Sequence, residues 1–498
     1  GASSGMAMAH WEIQGWMILI LGWVFVPFYT RSMVYTMPEF LERRYNPQSR
    51  TILSVISLVS YVLTKVAVTV YAGGLVFQQV FGIKELWGID FFWIAAIGLV
   101  VLTALYTIFG GMKSVLYTSV LQTPILLLGS LIILVLGFKE LGGWDEMMRV
   151  CGAVTVNDYG DTMTNLIRSN DDANFPWLGA LIGSAIIGFW YWCTDQFIVQ
   201  RVLSGKNEME ARRGTIFGAY LKLLPVFLFL IPGMIAFALH QKYIGAGGEG
   251  FLPMLANGTA NADAAFPTLV AKLLPAGVKG LVVCGILAAL MSSLASLFNS
   301  SAMLFTIDFY KRFRPETPEK KLVGIGQVAT VVIVILGILW IPIMRSVGDV
   351  LYTYLQDVQS VLAPGIAAAF LLGICWKRTS AQGGMWGLIA GMVIGLTRLG
   401  AKVYYSNAGE VADSTFKYLF YDMNWLFFCG WMFLFCIIVV IVVSLATKAP
   451  TAEKIQGLVF GTATKEQKAV TRASWNHWDI IHTVIILAIT GAFYWYFW

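Results

Sequence analysis

At 498 residues, with 58% hydrophobic, 14% aromatic and only 12% charged side chains, the chain has the makeup of a helical bundle set in lipid, not of a water-soluble core. The formal net charge of +6 does not point to nucleic acid, because the basic residues stand in short loops between apolar runs. The cysteines at 151, 193, 284, 375, 429 and 436 lie mostly within apolar segments and show no paired spacing, which argues against a disulfide framework or a zinc site.

Apolar runs long enough to cross ~30 Å of hydrocarbon predict a half-span near 2–10. Full spans follow at 11–30, 51–80, 88–110, 114–138, 176–199, 214–240, 277–310, 322–345, 349–375, 383–404, 422–446 and 478–498. Alternating the loops between two sides gathers most basic residues on one of them. That side holds Arg31, Arg43, Arg44, Arg50, Lys113, Arg201, Arg212, Arg213, Lys311, Arg312, Lys377, Lys454 and Lys468. The positive-inside rule places it in the cytoplasm, so Gly1 and Trp498 face outward.

Loops 139–175 and 242–275 are then outer, long and polar. Gly245–Gly250 reads as a flexible turn and not a phosphate cradle, since no strand precedes it. Asn257-Gly-Thr259 matches a glycosylation acceptor. Gly387, Gly391 and Gly395 repeat at four-residue spacing, as close helix packing prefers. Residues 449–473 read as a polar linker before the last span.

Polar groups within spans are costly and mark function. Glu12 follows Trp11 near the outer end of the first full span, as an interfacial carboxylate or a buried ligand. Lys222 sits about two turns into its span and needs a partner; Glu12 or a solute hydroxyl would serve, with snorkelling to the interface as the other reading. Gln356, followed by Asp357 and Gln359, can both donate and accept hydrogen bonds, to a solute or to a neighbouring helix. Gly188–Gln196 (GFWYWCTDQ) is an aromatic cluster with polar ends, suited to stacking on sugar faces or to an interfacial belt. Gly179, Gly183 and Gly188 could loosen that helix. Lys65 reads as a packing or gating residue.

In Gly285–Tyr310, Ala289, Ser292, Ser296 and Asn299 fall on one helical strip, with Ser293 beside Ser292. Two hydroxyls plus backbone carbonyls of a broken neighbour suit Na+ or a polar solute; a small-residue packing strip is the alternative. No HExxH, P-loop, GxSxG or metal-spaced His/Cys cluster is present, so no enzyme chemistry is expected. Polar groups drawn from many spans to mid-depth describe a transporter.

Taken together, Ala288-Ala-Leu-Met-Ser-Ser-Leu-Ala-Ser296 with Asn299-Ser-Ser301, Trp190-Tyr-Trp-Cys-Thr-Asp-Gln196 with Gln200-Arg201, Gly218-Ala-Tyr-Leu-Lys-Leu223, Tyr354-Leu-Gln356 and Trp376-Lys-Arg378 resemble the solute:sodium symporter family, and within it the sodium/glucose (galactose) cotransporters. The resemblance covers nearly the whole chain. It implies a single all-α membrane domain, a leucine-transporter-type 5+5 inverted-repeat bundle. The repeats would occupy about 1–138 and 176–375, extra helices 383–498, and part of the first core helix would precede Gly1.

By the same resemblance Glu12, Lys222 and Gln356 hydrogen-bond sugar hydroxyls and Trp192 lines the pocket. Tyr191 is the inner gate, while Trp11 and Tyr352 stand at the outer gate. Ser292 and Ser293 give hydroxyls, and Ala289 a carbonyl, to Na+, with two more carbonyls from the first core helix. Where relatives carry Tyr-Thr-Asp, this chain has Tyr117-Thr118-Ser119, which implies one Na+ per solute. Gly188 replaces a polar residue that some relatives turn toward the sugar. The expected activity is Na+-coupled import of a monosaccharide such as glucose or galactose across a bacterial inner membrane. The partners are the solute, Na+ and the lipid bilayer, with no nucleic acid and no obligate protein partner. The alternatives are a Na+ symporter of sialic acid, an amino acid or a polyol, or a membrane sugar sensor.

Overall fold

The structure, a computed structural model, describes the backbone of residues 1–255, 258–347, 351–407 and 412–498. Within helices the side chains of 106, 108–115, 118, 121 and 344–347 are not described. Expectations for Asn257, Lys113 and Thr118 therefore lie outside the described residues.

Among the described residues, helices account for nearly all of the apolar runs. In chain order they are α1 Gly5–Ser32, α2 Pro47–Phe81, α3 Phe91–Leu105, α4 Gln122–Leu141, α5 Trp177–Thr194, α6 Glu208–Gly245, α7 Ala276–Phe313, α8 Glu319–Ile343, α9 Leu351–Cys375, α10 Ala381–Asn407, α11 Trp425–Ala446 and α12 His477–Tyr496. All but α3 are long and apolar enough to cross a membrane. Their ends lie where the sequence turns polar, and several are closed by side-chain caps. Asn46, Asn207 and Asn424 accept backbone N–H groups of Ser49, Glu210 and Leu426 at 2.8–2.9 Å, and Asn476 forms a capping box with Asp479. Such caps satisfy donors that a helix start leaves open.

α3 and α4 belong to one helical stretch, Phe91–Leu141. Leu99 and Leu290 both reach the Cβ position of Gly73, yet Ser119 bonds Ser292, two residues further along α7. On a straight helix Leu99 and Ser119 would stand ~30 Å apart, so the stretch is not one rod.

The expected half-span 2–10 and first full span form a single helical run, α1, interrupted by a turn at Ile13–Gln14. Wide π-helical turns occur at Leu21–Phe25, Tyr61–Val66, Phe189–Thr194, Val226–Leu230 and Leu304–Tyr310. Insertions of this kind cluster at functional sites.

The small residues of α10 do what their spacing predicts. A Cβ on Gly391 would lie 2.6 Å from Gly365 Cα, and one on Gly395 2.2 Å from the Val361 carbonyl, so α9 and α10 touch backbone to backbone. The glycines of α5 differ from expectation. Gly179 and Gly183 admit Leu426 of α11, so they tighten packing instead of loosening the helix. The helix breaks further on, at Asp195, whose extended backbone (φ −81°, ψ 127°) and side chain start a new helix, Gln196–Leu203.

Loops assigned to one side by charge meet at one end of the bundle. Arg31 donates to Thr471 at 2.6 Å, Lys454 to the Glu42 carbonyl at 2.8 Å, and Arg312 to the Pro47 carbonyl at 2.6 Å. Arg50 pairs with Asp308 at 2.6 Å. The linker 449–473 is not featureless: Thr464 and Gln467 close a capping box on a short helix, Lys465–Ala473.

Candidate functional site

The turn at Ile13–Gln14 ends the first part of α1 just after Glu12. This leaves the Glu12 carboxylate inside the bundle, where charge must find partners. Lys222 of α6 lies one π turn before Val226–Leu230 and donates to Glu12 Oε2 at 2.7 Å. Tyr352, near the start of α9, donates its hydroxyl to Glu12 Oε1 at 2.5 Å. Both carboxylate oxygens are thus occupied, and the two charges neutralise each other. The Lys222 ammonium also stands 5.7 Å from the Trp192 ring centre, close enough for cation–π attraction.

α5 contributes the opposite wall. Its π turn carries Tyr191 and Trp192 edge to face at 5.1 Å. Trp11 stacks at 5.5 Å on Trp425 of α11, with Phe175 at 5.7 Å, so three aromatic rings cluster at this edge of the site.

All seven solute residues read from the sequence, Trp11, Glu12, Tyr191, Trp192, Lys222, Tyr352 and Gln356, line one cavity of about 220 Å³. Drug-sized sites run to ~300–1,000 Å³, so this one suits a small polar solute. Gly188, already read as standing where some relatives turn a polar residue to the sugar, and Gln359 line the same cavity, as do Gln14, Ile187 and Leu355, which sequence reasoning missed; the visible signal for Gln14 was an amide inside an apolar span, two residues past Glu12.

Two polar atoms of the lining, Trp11 Nε1 and Gln356 Oε1, are buried with no hydrogen-bond partner among the described residues. One is a donor and the other an acceptor. A second space of about 200 Å³ adjoins through Glu12 and Tyr352 and reaches outward to Asp263. In that outer loop Asp263 accepts the Leu351 N–H at 3.1 Å, and burial lifts its carboxyl to about 6. A larger groove of about 480 Å³ lies toward the inner end of α7 and α8, between Met303, Lys311, Glu319 and Gln327, and its lining includes none of the seven.

Beneath Tyr191, Lys65 is paired with Asp195 at the break in α5. The Tyr61 hydroxyl donates to the same carboxylate at 2.8 Å, and the Lys65 ammonium lies 4.9 Å from the Tyr191 ring. The partner, Asp195, could be placed only once α2 and α5 were packed.

On α7, Ser292 is buried and its Oγ lies 2.6 Å from Ser119 Oγ. Ser293 and Ala289 are half-buried on the same stretch. The residue that departs from the Tyr-Thr-Asp pattern therefore meets one of the expected cation ligands, which spacing within either helix could not reveal. Ser119, Ser292 and Ser293 offer hard hydroxyl oxygens without a carboxylate, a donor set that fits a monovalent cation. One turn on, Arg201 donates to Ser296 Oγ and Gln200 to Ser300 Oγ, the latter at 2.6 Å.

Residues 1–391 match the Sodium:solute symporter family. Curated relatives include the human sodium/myo-inositol cotransporter 2, 35% identical over 93% of this chain and 69% of its own. The Bos taurus sodium/mannose cotransporter is 36% identical over 97% and 83%. The Ovis aries sodium/glucose cotransporter 1 is 37% identical over 90% and 69%. Among solved structures, a substrate-bound, outward-open Na+-coupled sialic acid symporter superposes with a TM-score of 0.67 at 20% identity, covering 90% of this chain and 85% of its own. At that identity the likeness speaks to fold alone.

Proposed function

Because the chain belongs to the sodium:solute symporter family, as an all-α, multi-pass bundle of the leucine-transporter type, we propose that it imports a neutral monosaccharide, a hexose such as glucose or galactose, together with Na+ by alternating access in the plasma membrane. The observation that carries this reading is the cavity itself. It is small, walled by aromatic rings, and holds a self-neutralised Glu12–Lys222 pair beside a buried donor and a buried acceptor that both lack partners among the described residues. A polyhydroxyl solute satisfies donors and acceptors alike, and stacks its apolar face on Tyr191 and Trp192.

An anionic solute such as sialic acid would need a free cation, and Lys222 is already taken by Glu12. A cyclic polyol is the second reading, since the same chemistry recognises it and a relative is named for myo-inositol.

For the ion, Ser292 and Ser293 with the Ala289 carbonyl would hold one Na+ per solute. Na+ binding would favour the outward-facing form that completes the sugar site, with a coupling of roughly 1–3 kcal/mol as in other linked sites. The test is uptake of labelled hexoses, inositol, sialic acid and amino acids into proteoliposomes with and without an inward Na+ gradient. Na+-driven accumulation of a neutral sugar is expected. Uptake indifferent to Na+, or confined to anions, overturns the reading.

A further inference from the structure

Resting on the reading above, we propose that the Gln14 carboxamide is a specificity-determining contact of the solute site, accepting one solute hydroxyl, and that Gly188 is the residue that leaves it room.

Gln14 follows the turn that interrupts α1, with a non-helical backbone (φ −78°, ψ 29°). Its side chain turns toward α5, is almost wholly buried and lines the cavity. Nε2 donates to the Ser184 carbonyl at 2.8 Å. That bond fixes the amide plane and spends a donor on the scaffold, leaving Oε1 with no hydrogen-bond partner among the described residues. Oε1 rests directly over Gly188, where a Cβ would lie 2.6 Å from it. Any larger residue at 188 must therefore push the amide away.

The cavity's other acceptors sharpen the argument. Glu12 has both oxygens occupied by Lys222 and Tyr352. The amide oxygens of Gln14 and Gln356 are among the acceptors still open on the described walls. A hydroxyl seated between Glu12 and Gly188 donates to Gln14. A solute lacking it leaves a fixed, buried acceptor unpaired, the situation in which a site discriminates most strongly. At this corner the polar contact comes from α1, because α5 has no side chain to offer at 188.

The experiment is competition of Na+-driven uptake of the preferred sugar by its monodeoxy analogues, in wild type, Gln14→Leu, Gly188→Ala and the double variant. In wild type one analogue should compete about 5- to 50-fold more weakly than the parent through the lost contact. In Gln14→Leu the parent should weaken by a similar factor and that one analogue should no longer be distinguished from it, while penalties at other hydroxyls persist. Gly188→Ala should give the same fingerprint, and the double variant should be no worse than either single. Gly188→Ala carries the test if Gln14→Leu does not reach the membrane. A loss spread evenly over all analogues, or an unchanged fingerprint, overturns the proposal alone. A wild type that takes no neutral sugar or polyol overturns the parent reading, and this one with it.

Discussion

Replacing Glu12 by Gln keeps the side chain's shape and an oxygen for the Tyr352 hydroxyl, but removes the charge opposite Lys222. The pair is 2.7 Å apart, with side chains 19% and 15% exposed. Breaking a fully buried pair costs about 3–5 kcal/mol because the surviving charge is stranded; partial access to water lowers this to about 2–3 kcal/mol here. Expressed in solute affinity, that is a loss of roughly 30- to 150-fold. Lys222→Met should cost a similar amount. The double variant strands neither charge, so it should be no weaker than the worse single, which implies a coupling of at least ~2 kcal/mol. Equilibrium binding of labelled sugar to detergent-purified protein at saturating Na+ measures all four affinities. If the two losses simply add to within ~0.5 kcal/mol, the residues do not act as a neutralised pair and the argument for a neutral solute falls with them.

Ser293→Ala removes one candidate cation oxygen without touching the sugar cavity. It should raise the Na+ concentration for half-maximal uptake about tenfold while leaving the order of sugar preference intact, and unchanged Na+ activation would remove Ser293 from the ion site. Gly391→Ala places a methyl 2.6 Å from Gly365 Cα, against backbone that cannot rotate away; overpacking of about 1–3 kcal/mol should lower the melting temperature in detergent. Asp263 titrates near 6 because burial favours its neutral form. The folded state then holds a proton the unfolded chain has released, so this stability is present at pH below ~4 and lost as pH rises through ~6. Asp263→Asn should flatten that part of the pH–melting curve, and a parallel curve would show that the carboxyl is not the source.

Much of this molecule is legible in its residue order because lipid imposes a simple rule. Every span must be long, apolar and internally hydrogen-bonded, so span positions follow from apolar run length, and charges inside spans stand out. Glu12 and Lys222 could be singled out for that reason, and Gln356 through the segment Tyr354-Leu-Gln356 that carries the family resemblance. What stayed hidden depends on contacts between spans. Gly179 and Gly183 look like weak points but serve Leu426 of a helix more than 200 residues later. The true break at Asp195 needs its cap and its ties to Tyr61 and Lys65, and no local pattern announces that. Asp357 shows the same limit: it looks like a neighbour of Gln356, yet it is paired with Lys402 across the α9–α10 contact. Gln14 lacks charge, so nothing raised it above other polar residues until its amide was seen over Gly188. The family resemblance, by contrast, rests on several segments in a fixed order, and it holds over residues 1–391.

If the proposed sites hold, the break that ends α5 at Asp195 gives one element contacts to both of them. Before the break, Tyr191 and Trp192 wall the solute cavity. After it, Gln200 and Arg201 are bonded to Ser300 and Ser296 of α7, one to two turns from the Ser292–Ser119 contact. Between them Asp195 replaces a stretch of helical hydrogen bonds with ties to Lys65 and Tyr61 of α2. A continuous helix would hold the two halves rigidly in line. The capped joint lacks that continuity, and each half is bonded to its own neighbours. Under the proposed function, a solute against Tyr191 and an ion at Ser292 would act on opposite arms of one jointed segment. Two sites couple physically when both bias the same two-state element. Here that element is the six-residue turn Phe189–Thr194 and its Asp195 joint, and an equilibrium between its arrangements is what Na+ would have to shift for sugar to follow.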